Sequence, residues 1–155
     1  MDVTIEPARV RDAEQILKLQ YLCYQSEAAL YDDDSIPPLT QTLAALLAEY
    51  DTHCILAARL GDDVVGSVRG QLIDGTCHIG RLIVHPRLHR RGLGTRLLRA
   101  MEDHFSDADC YELFTGHRSE GNVRLYQRLG YTLFREEAVS SRLHLVYLQK
   151  PRTRS

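Results

Sequence analysis

At 155 residues the chain is long enough to bury roughly two-thirds of its unfolded surface, and a single domain over residues 1–155 is expected. Its 19 Lys and Arg against 21 Asp and Glu leave a formal charge of -2, which excludes a general polyanion binder and makes any cationic patch local. No apolar run approaches the ~20 residues of a membrane span. Met1-Asp2-Val3-Thr4 lacks the basic and apolar regions of a secretory signal. Cys23, Cys54, Cys77 and Cys110 lack C-x-x-C spacing, which fits reduced thiols in a cytoplasmic chain better than a disulfide frame or a zinc site.

In chain order, "VTIEPA" reads as a strand and "RVRDAEQILKLQYLCYQSE" as a helix with Ile16, Leu17, Leu19 and Leu22 on its apolar face. The acids and paired prolines of "ALYDDDSIPPL" break it, and Thr40 is expected to open a second helix, "TQTLAALLAEY". Three strands follow, "CILAARL", "VVGSVRGQLI" and "TCHIGRLIV", with Asp74-Gly75 as a hairpin turn between the last two. "GTRLLRAMEDHF" is an amphipathic helix presenting Leu97, Leu98, Met101 and Phe105. "CYELFTG" is a strand, "SEGNVRLYQRLG" a helix ending on Gly130, and "YTLFREEAV" with "SRLHLVYLQK" a closing hairpin. The order β-α-α-β-β-β-α-β-α-β-β predicts a mixed α/β sheet, mostly antiparallel with one crossover, and not a doubly wound parallel one.

The stretch "HPRLHRRGLGTRLLRA" places Arg90, Arg91, Gly92 and Gly94 where a helix begins. A helix N-terminus presents unpaired N–H groups and a dipole that favours an anion. Glycines admit close approach of the backbone, and arginines add forked donors suited to phosphate oxygens. A flexible turn is the competing reading. Neither nucleotide fingerprint is present, since no Lys-Ser/Thr follows and the third glycine of G-x-G-x-x-G is missing. His85 and His89 are four residues apart, but Pro86 keeps them off a helix, so no metal is expected. The basic run has no interleaved aromatics for nucleic acid, and no G-x-S-x-G elbow marks a hydrolase.

"RLIVHPRLHRRGLGTRLLRAME" followed by "NVRLYQRLGY" resembles the GNAT superfamily of acyl-CoA-dependent N-acetyltransferases, and the strand order resembles that fold over nearly the whole chain. The family signature Gln/Arg-x-x-Gly-x-Gly/Ala reads here His89-Arg90-Arg91-Gly92-Leu93-Gly94, with histidine in the first slot. The resemblance implies a sheet splayed at the fourth strand and acetyl-CoA as co-substrate. It implies that Leu82, Ile83 and Val84 lend main-chain groups to the pantetheine arm, one amide polarising the thioester carbonyl. It also implies that Arg90, Arg91, Gly92, Leu93, Gly94 and Thr95 hold the pyrophosphate, that Asn122 touches the cofactor, and that Tyr126 protonates the departing thiolate.

Judged by spacing alone, Tyr126 is a core aromatic beside Val123 and Leu129, Asn122 a first-turn polar residue and Ser119 an N-cap. Tyr131 is the fallback acid. For the general base, His78 stands six residues before Val84, where the histone-acetylating branch of the family has a carboxylate. An imidazole with an ordinary pKa of about 6.5 can take the ammonium proton directly or through water. Glu120, His117 and a water chain are the alternatives to it.

By resemblance the segment Glu27–Leu39 walls the acceptor cleft, with Tyr24, Glu27, Tyr31, Asp32, Asp33 and Asp34 suited to an amine with a second positive group. The competing reading is a solvated connector. The function expected is N-acetyl transfer to a small-molecule or peptide amine by direct attack, with a non-catalytic acyl-CoA-binding domain as the alternative. A homodimer is kept open, with neither nucleic acid nor membrane as partner.

Overall fold

A computed structural model describes residues 2–152. Strand β1 (Val3–Pro7) leads through a 3-10 turn (Val10–Asp12) into helix α1 (Ala13–Tyr31). The helix runs four residues past its predicted end. Ala28 and Tyr31 are buried and hold the last turn, and Asp32 ends it in the left-handed conformation (φ 49°). Ile16, Leu17 and Leu19 enter the core as expected, whereas Leu22 is 47% exposed.

Thr40 does not open the next helix. It closes a one-turn helix, α2 (Pro37–Thr40), started by the two prolines, and its hydroxyl donates to the Pro37 carbonyl. Thr42 caps α3 (Leu43–Glu49), its hydroxyl accepting the Ala45 N–H at 3.1 Å.

The strands β2 (Cys54–Leu60), β3 (Asp63–Ile73) and β4 (Thr76–Val84) pair antiparallel in sequence. Asp74 and Gly75 both take positive φ (49° and 83°), the type I′ geometry that suits a tight hairpin. Helix α4 (Leu93–His104), strand β5 (Cys110–Gly116), helix α5 (Glu120–Arg128) and the hairpin β6 (Thr132–Ala138) and β7 (His144–Pro151) complete the chain. The seven-stranded sheet has the order β1-β2-β3-β4-β5-β7-β6, mixed α/β with β4–β5 as its parallel pair. Helix α4 covers one face with Leu97, Leu98 and Met101, and α1 and α3 cover the other with Ile16 and Leu46. No helix among the described residues is long and apolar enough to cross a membrane.

Two irregularities of β4 shape everything that follows. Ser67 pairs with Ile83 and Arg69 with Gly80, so Val68 of β3 faces both Arg81 and Leu82, a bulge in which Arg81 takes φ 51°. The extra residue reverses the strand's alternation. Cys77 and Ile79 pack on the α4 side, but Ile83 packs on the α1 side. Beyond the bulge β4 has no partner in β5, because that pairing stops at His78 with Glu112.

The α1 face is pinned by charge as well as packing. Arg59 of β2 holds Asp12 and Glu6, the latter with Nε–Oε1 at 2.6 Å. Burial alone would push the Asp12 carboxyl up; the Arg59 guanidinium and the Arg9 N–H outweigh it and hold it below the ordinary 3.8. Its contribution is therefore present above about pH 4 and lost as pH falls through the depressed value. Asp12→Asn should lower stability by about 1–3 kcal/mol at pH 7. In urea titrations the gap from the parent should close as pH drops to 3 and below.

Candidate active site

The divergence of β4 from β5 opens a cleft of 680 Å³, within the ~300–1,000 Å³ of small-molecule sites. Its walls are the second half of α1, the Ile36–Pro38 turn, Ile79–Val84 of β4, Leu113–Gly116 of β5, and Asn122 and Tyr126 of α5. Leu82, Ile83 and Val84 all line it. The Val84 carbonyl is engaged from both sides, by His89 Nε2 at 2.9 Å and by the Cys23 thiol at 3.4 Å. Burial pushes that thiol up to about 11, against the smaller opposing pull of the Val84 carbonyl bond, so it stays protonated as a donor. His89 thus ties the glycine turn to the end of β4. His85 does similar work, its N–H donating to the Val65 carbonyl and its Nδ1 accepting the Arg87 N–H.

At the mouth of the cleft Gly92 is the N-cap of α4 with φ 75°, and no side chain caps the first turn. A Cβ at Gly92 would meet nothing, so its backbone angle and not crowding by protein atoms is what calls for glycine. A Cβ at Gly94 would only touch Leu125 and Val84 at 3.9 Å. The first-turn amides of Leu93, Gly94 and Thr95 have no acceptor within the helix. Arg90 and Arg91 are exposed, and neither forms an ion pair among the described residues. This is a ready seat for an anion.

Tyr126 is buried to 7% exposure and reaches the cleft from α5. Its hydroxyl has no hydrogen-bond partner among the described protein groups. Burial first, then the neighbouring Tyr24 and Glu27, raise its pKa well above the ordinary tyrosine value, so the group holds its proton at neutral pH. Tyr131, the fallback, faces the core and not the cleft. It is 1% exposed, and its hydroxyl donates to Glu102 at 2.6 Å, whose other oxygen takes Lys150 Nζ at 3.1 Å.

The remaining candidate residues divide in the same way. Asn122 lines the cleft, its Nδ2 donating to Thr115 Oγ1 at 3.3 Å. Ser119 does not cap α5 with its side chain; its hydroxyl donates to the Glu27 carboxylate at 2.7 Å. His78 does not line the cleft. It pairs with Gln71 of β3 and Glu112 of β5 where the β4–β5 pairing ends, just ahead of the lining stretch Ile79–Val84. His117 accepts the His144 N–H on Nδ1 and lies outside the lining, as does the exposed Glu120.

Of the expected acceptor residues, Tyr24, Glu27 and Tyr31 line the cleft from α1 itself. Tyr31 crosses to β5, accepts the Arg118 N–H at 2.9 Å and sits where a Cβ on Gly116 would have to be. Asp32 and Asp33 are turned to local work. Asp32 ends α1 and receives Arg142 on its carbonyl at 2.8 Å, and Asp33 accepts the Ser35 N–H at 2.9 Å. Neither they nor Asp34 lines the cleft. Glu27 is the one carboxylate among the described residues that does. Arg81, which the sequence pattern did not single out, also lines it; its signal lies in a bulge that only strand pairing reveals.

An open mixed sheet with a cleft at its one parallel pair and a glycine turn at its mouth is the architecture of GNAT acetyltransferases. The fold superposes on the ribosomal-protein-S18-alanine N-acetyltransferase of Escherichia coli with a TM-score of 0.81 at 13% identity, covering 99% of this chain and 96% of that one. It matches the PaiA N-acetyltransferase of Thermoplasma acidophilum in complex with coenzyme A at 0.81 and 16% identity, covering 97% and 99%. The yncA protein of Salmonella typhimurium with acetyl-CoA gives 0.78 at 20% identity, covering 99% and 95%. These likenesses show the fold. The acetyltransferase (GNAT) family matches residues 13–131, and the chain belongs to that family. The UPF0157 protein YqkA of Bacillus subtilis is 29% identical over 119 residues, 77% of this chain, and the match spans about a third (34%) of that longer protein.

Proposed function

We propose that the chain transfers the acetyl group of acetyl-CoA to the primary amine of a small molecule or peptide, by direct attack with both reactants in the cleft. The observation that carries this reading is the partnerless Tyr126 hydroxyl opening onto the same cleft as the unpaired half of β4. The residues present suit coenzyme A. The first turn of α4 offers free amides beside Arg90 and Arg91, and the cleft has the volume for a thioester arm. Acetyl-CoA supplies an activated acyl group. Leu93, Gly94 and Thr95 amides with Arg90 and Arg91 would hold its pyrophosphate, Leu82–Val84 its pantetheine amides, and Asn122 the arm near α5.

Positioning the two reactants supplies most of the rate, and acid–base groups typically add ~10²–10⁴-fold. Tyr126 keeps its proton until the thiolate departs and then donates it. Glu27, facing Tyr126 from α1 and held by Ser119, is the proton acceptor for the incoming ammonium in this reading, in place of His78. The unpaired cysteines suit action in a reducing cytoplasm.

The experiment is thiol release. The purified protein with acetyl-CoA should liberate free CoA, read with a thiol-reactive dye, only when an acceptable amine is present. Tight acetyl-CoA binding with no release across a broad amine panel would establish the non-catalytic alternative instead.

A further inference from the structure

Arg81 has an unusual position for a guanidinium. It sits at the bulge of β4 with φ 51°, a conformation that arginine adopts at some strain, and it lines the cleft. Its Nε is buried without a hydrogen-bond partner, and no carboxylate pairs with it among the described residues. Arg69, which pairs with Gly80 beside the bulge, is 2% exposed and already uses the available acceptors, Gln20, Gln41 at 3.0 Å and Glu49 at 3.3 Å. The Arg69 Nε is orphaned too. Burial first, and the Arg81 charge against the pull of Glu49, hold the Arg69 pKa below its ordinary value, so the two cations feel each other. Glu49 pairs with Arg69 alone, which leaves the Arg81 charge uncompensated at this wall of the cleft. Buried donors left unmade are expensive, and a planar fork pairs best with a planar anion.

We infer that Arg81 is the seat for a carboxylate carried by the acceptor, so that the amine acetylated is one of an amino acid. The inference rests on the acetyltransferase reading above. Arg81, Tyr24 and Glu27 line the same cleft, and the charges of both Arg81 and Glu27 act on the Tyr24 hydroxyl. Glu27 receives the ammonium end and Arg81 the carboxylate end of one small zwitterion. The acidic run Asp32–Asp34, turned away from the cleft, plays no part.

The test pairs each amino acid with its amide, which keeps the amine and removes the anion. Glycine, leucine, methionine, phenylalanine and glutamate and their α-amides are compared by CoA release. The free acids that turn over should exceed their amides at least 10-fold in kcat/KM. Arg81→Met should bring that ratio close to one with the acetyl-CoA KM unchanged, and Arg81→Lys should restore part of it. Both variants keep a non-glycine side chain at the bulge, and matching melting temperatures check that the fold survives. Equal use of acids and amides by the parent protein, survival of the preference in Arg81→Met, or a raised acetyl-CoA KM in its place overturns the inference; the last would assign Arg81 to the cofactor. A second arm reads binding without turnover. In the presence of CoA, N-acetylmethionine and N-acetylphenylalanine should raise the melting temperature of the parent, their amides should not, and Arg81→Met should lose the effect. If no amine is acetylated at all, the proposed activity fails, and this binding arm alone decides Arg81: acid-selective, Arg81-dependent stabilisation upholds the carboxylate seat, and its absence overturns it.

Discussion

Replacing Gly92 and Gly94 together with valine should abolish the thermal stabilisation that acetyl-CoA gives the protein while leaving the ligand-free chain folded. Gly92 takes φ 75°, and a β-branched residue there costs about 1–2 kcal/mol of backbone strain, enough to turn the N-cap but not to unfold a domain. At Gly94 the methyls of valine enter the space over the first-turn amides and press on Leu125 and Val84, which a single Cβ would already touch at 3.9 Å. A ligand present at 100 times its Kd stabilises by about 2.7 kcal/mol, and that whole increment should vanish from the melting curve. The measurement is a pair of thermal-shift titrations, with circular dichroism on the apo proteins. Equal stabilisation of parent and double variant would mean that the anion seat lies elsewhere.

Tyr126→Phe should lower kcat by ~10-fold or more with the acetyl-CoA KM and melting temperature nearly unchanged, because the ring and its packing remain. Among the described residues the hydroxyl has no protein partner to lose, so a fall in rate reports its work in the reaction. Tyr131→Phe should do the reverse. Its hydroxyl donates to Glu102 beside Lys150 in the core, so its loss should cost about 1 kcal/mol of stability and leave kcat intact. The alkaline limb of the rate should not fall in the ordinary tyrosine range, since burial moves the Tyr126 pKa upward. Parental turnover by Tyr126→Phe would return that residue to a packing role.

Much of the architecture is written in short-range pattern. The apolar runs Cys54–Leu60, Thr76–Val84 and Cys110–Gly116 are strands over the residues expected of them, because a strand buried on both faces needs little more than a continuous apolar stretch between turn residues. The Asp74-Gly75 turn and the Gly92 cap are legible for the same reason, since positive φ is a property of one or two residues. The Tyr126 spacing could place a side chain on a helix face but not say that its hydroxyl would be left partnerless in a cleft. Helix α1 outlasts its predicted end because Ala28 and Tyr31 find partners far along the chain, Tyr31 against Gly116. Of the expected wall Glu27–Leu39, that shift keeps Glu27 and Tyr31 on the cleft as helix residues and leaves Asp32 and Asp33 as turn caps. That His78 stands outside the lining and Arg81 within it are both tertiary facts, and for Arg81 the cause is the bulge. A single extra residue in β4 reverses the faces of everything beyond it, and it exists only relative to Val68 on the neighbouring strand. Residue spacing within a strand is a local quantity, whereas strand register, burial and the absence of a partner for a charge are relations between distant segments, which folding alone brings together.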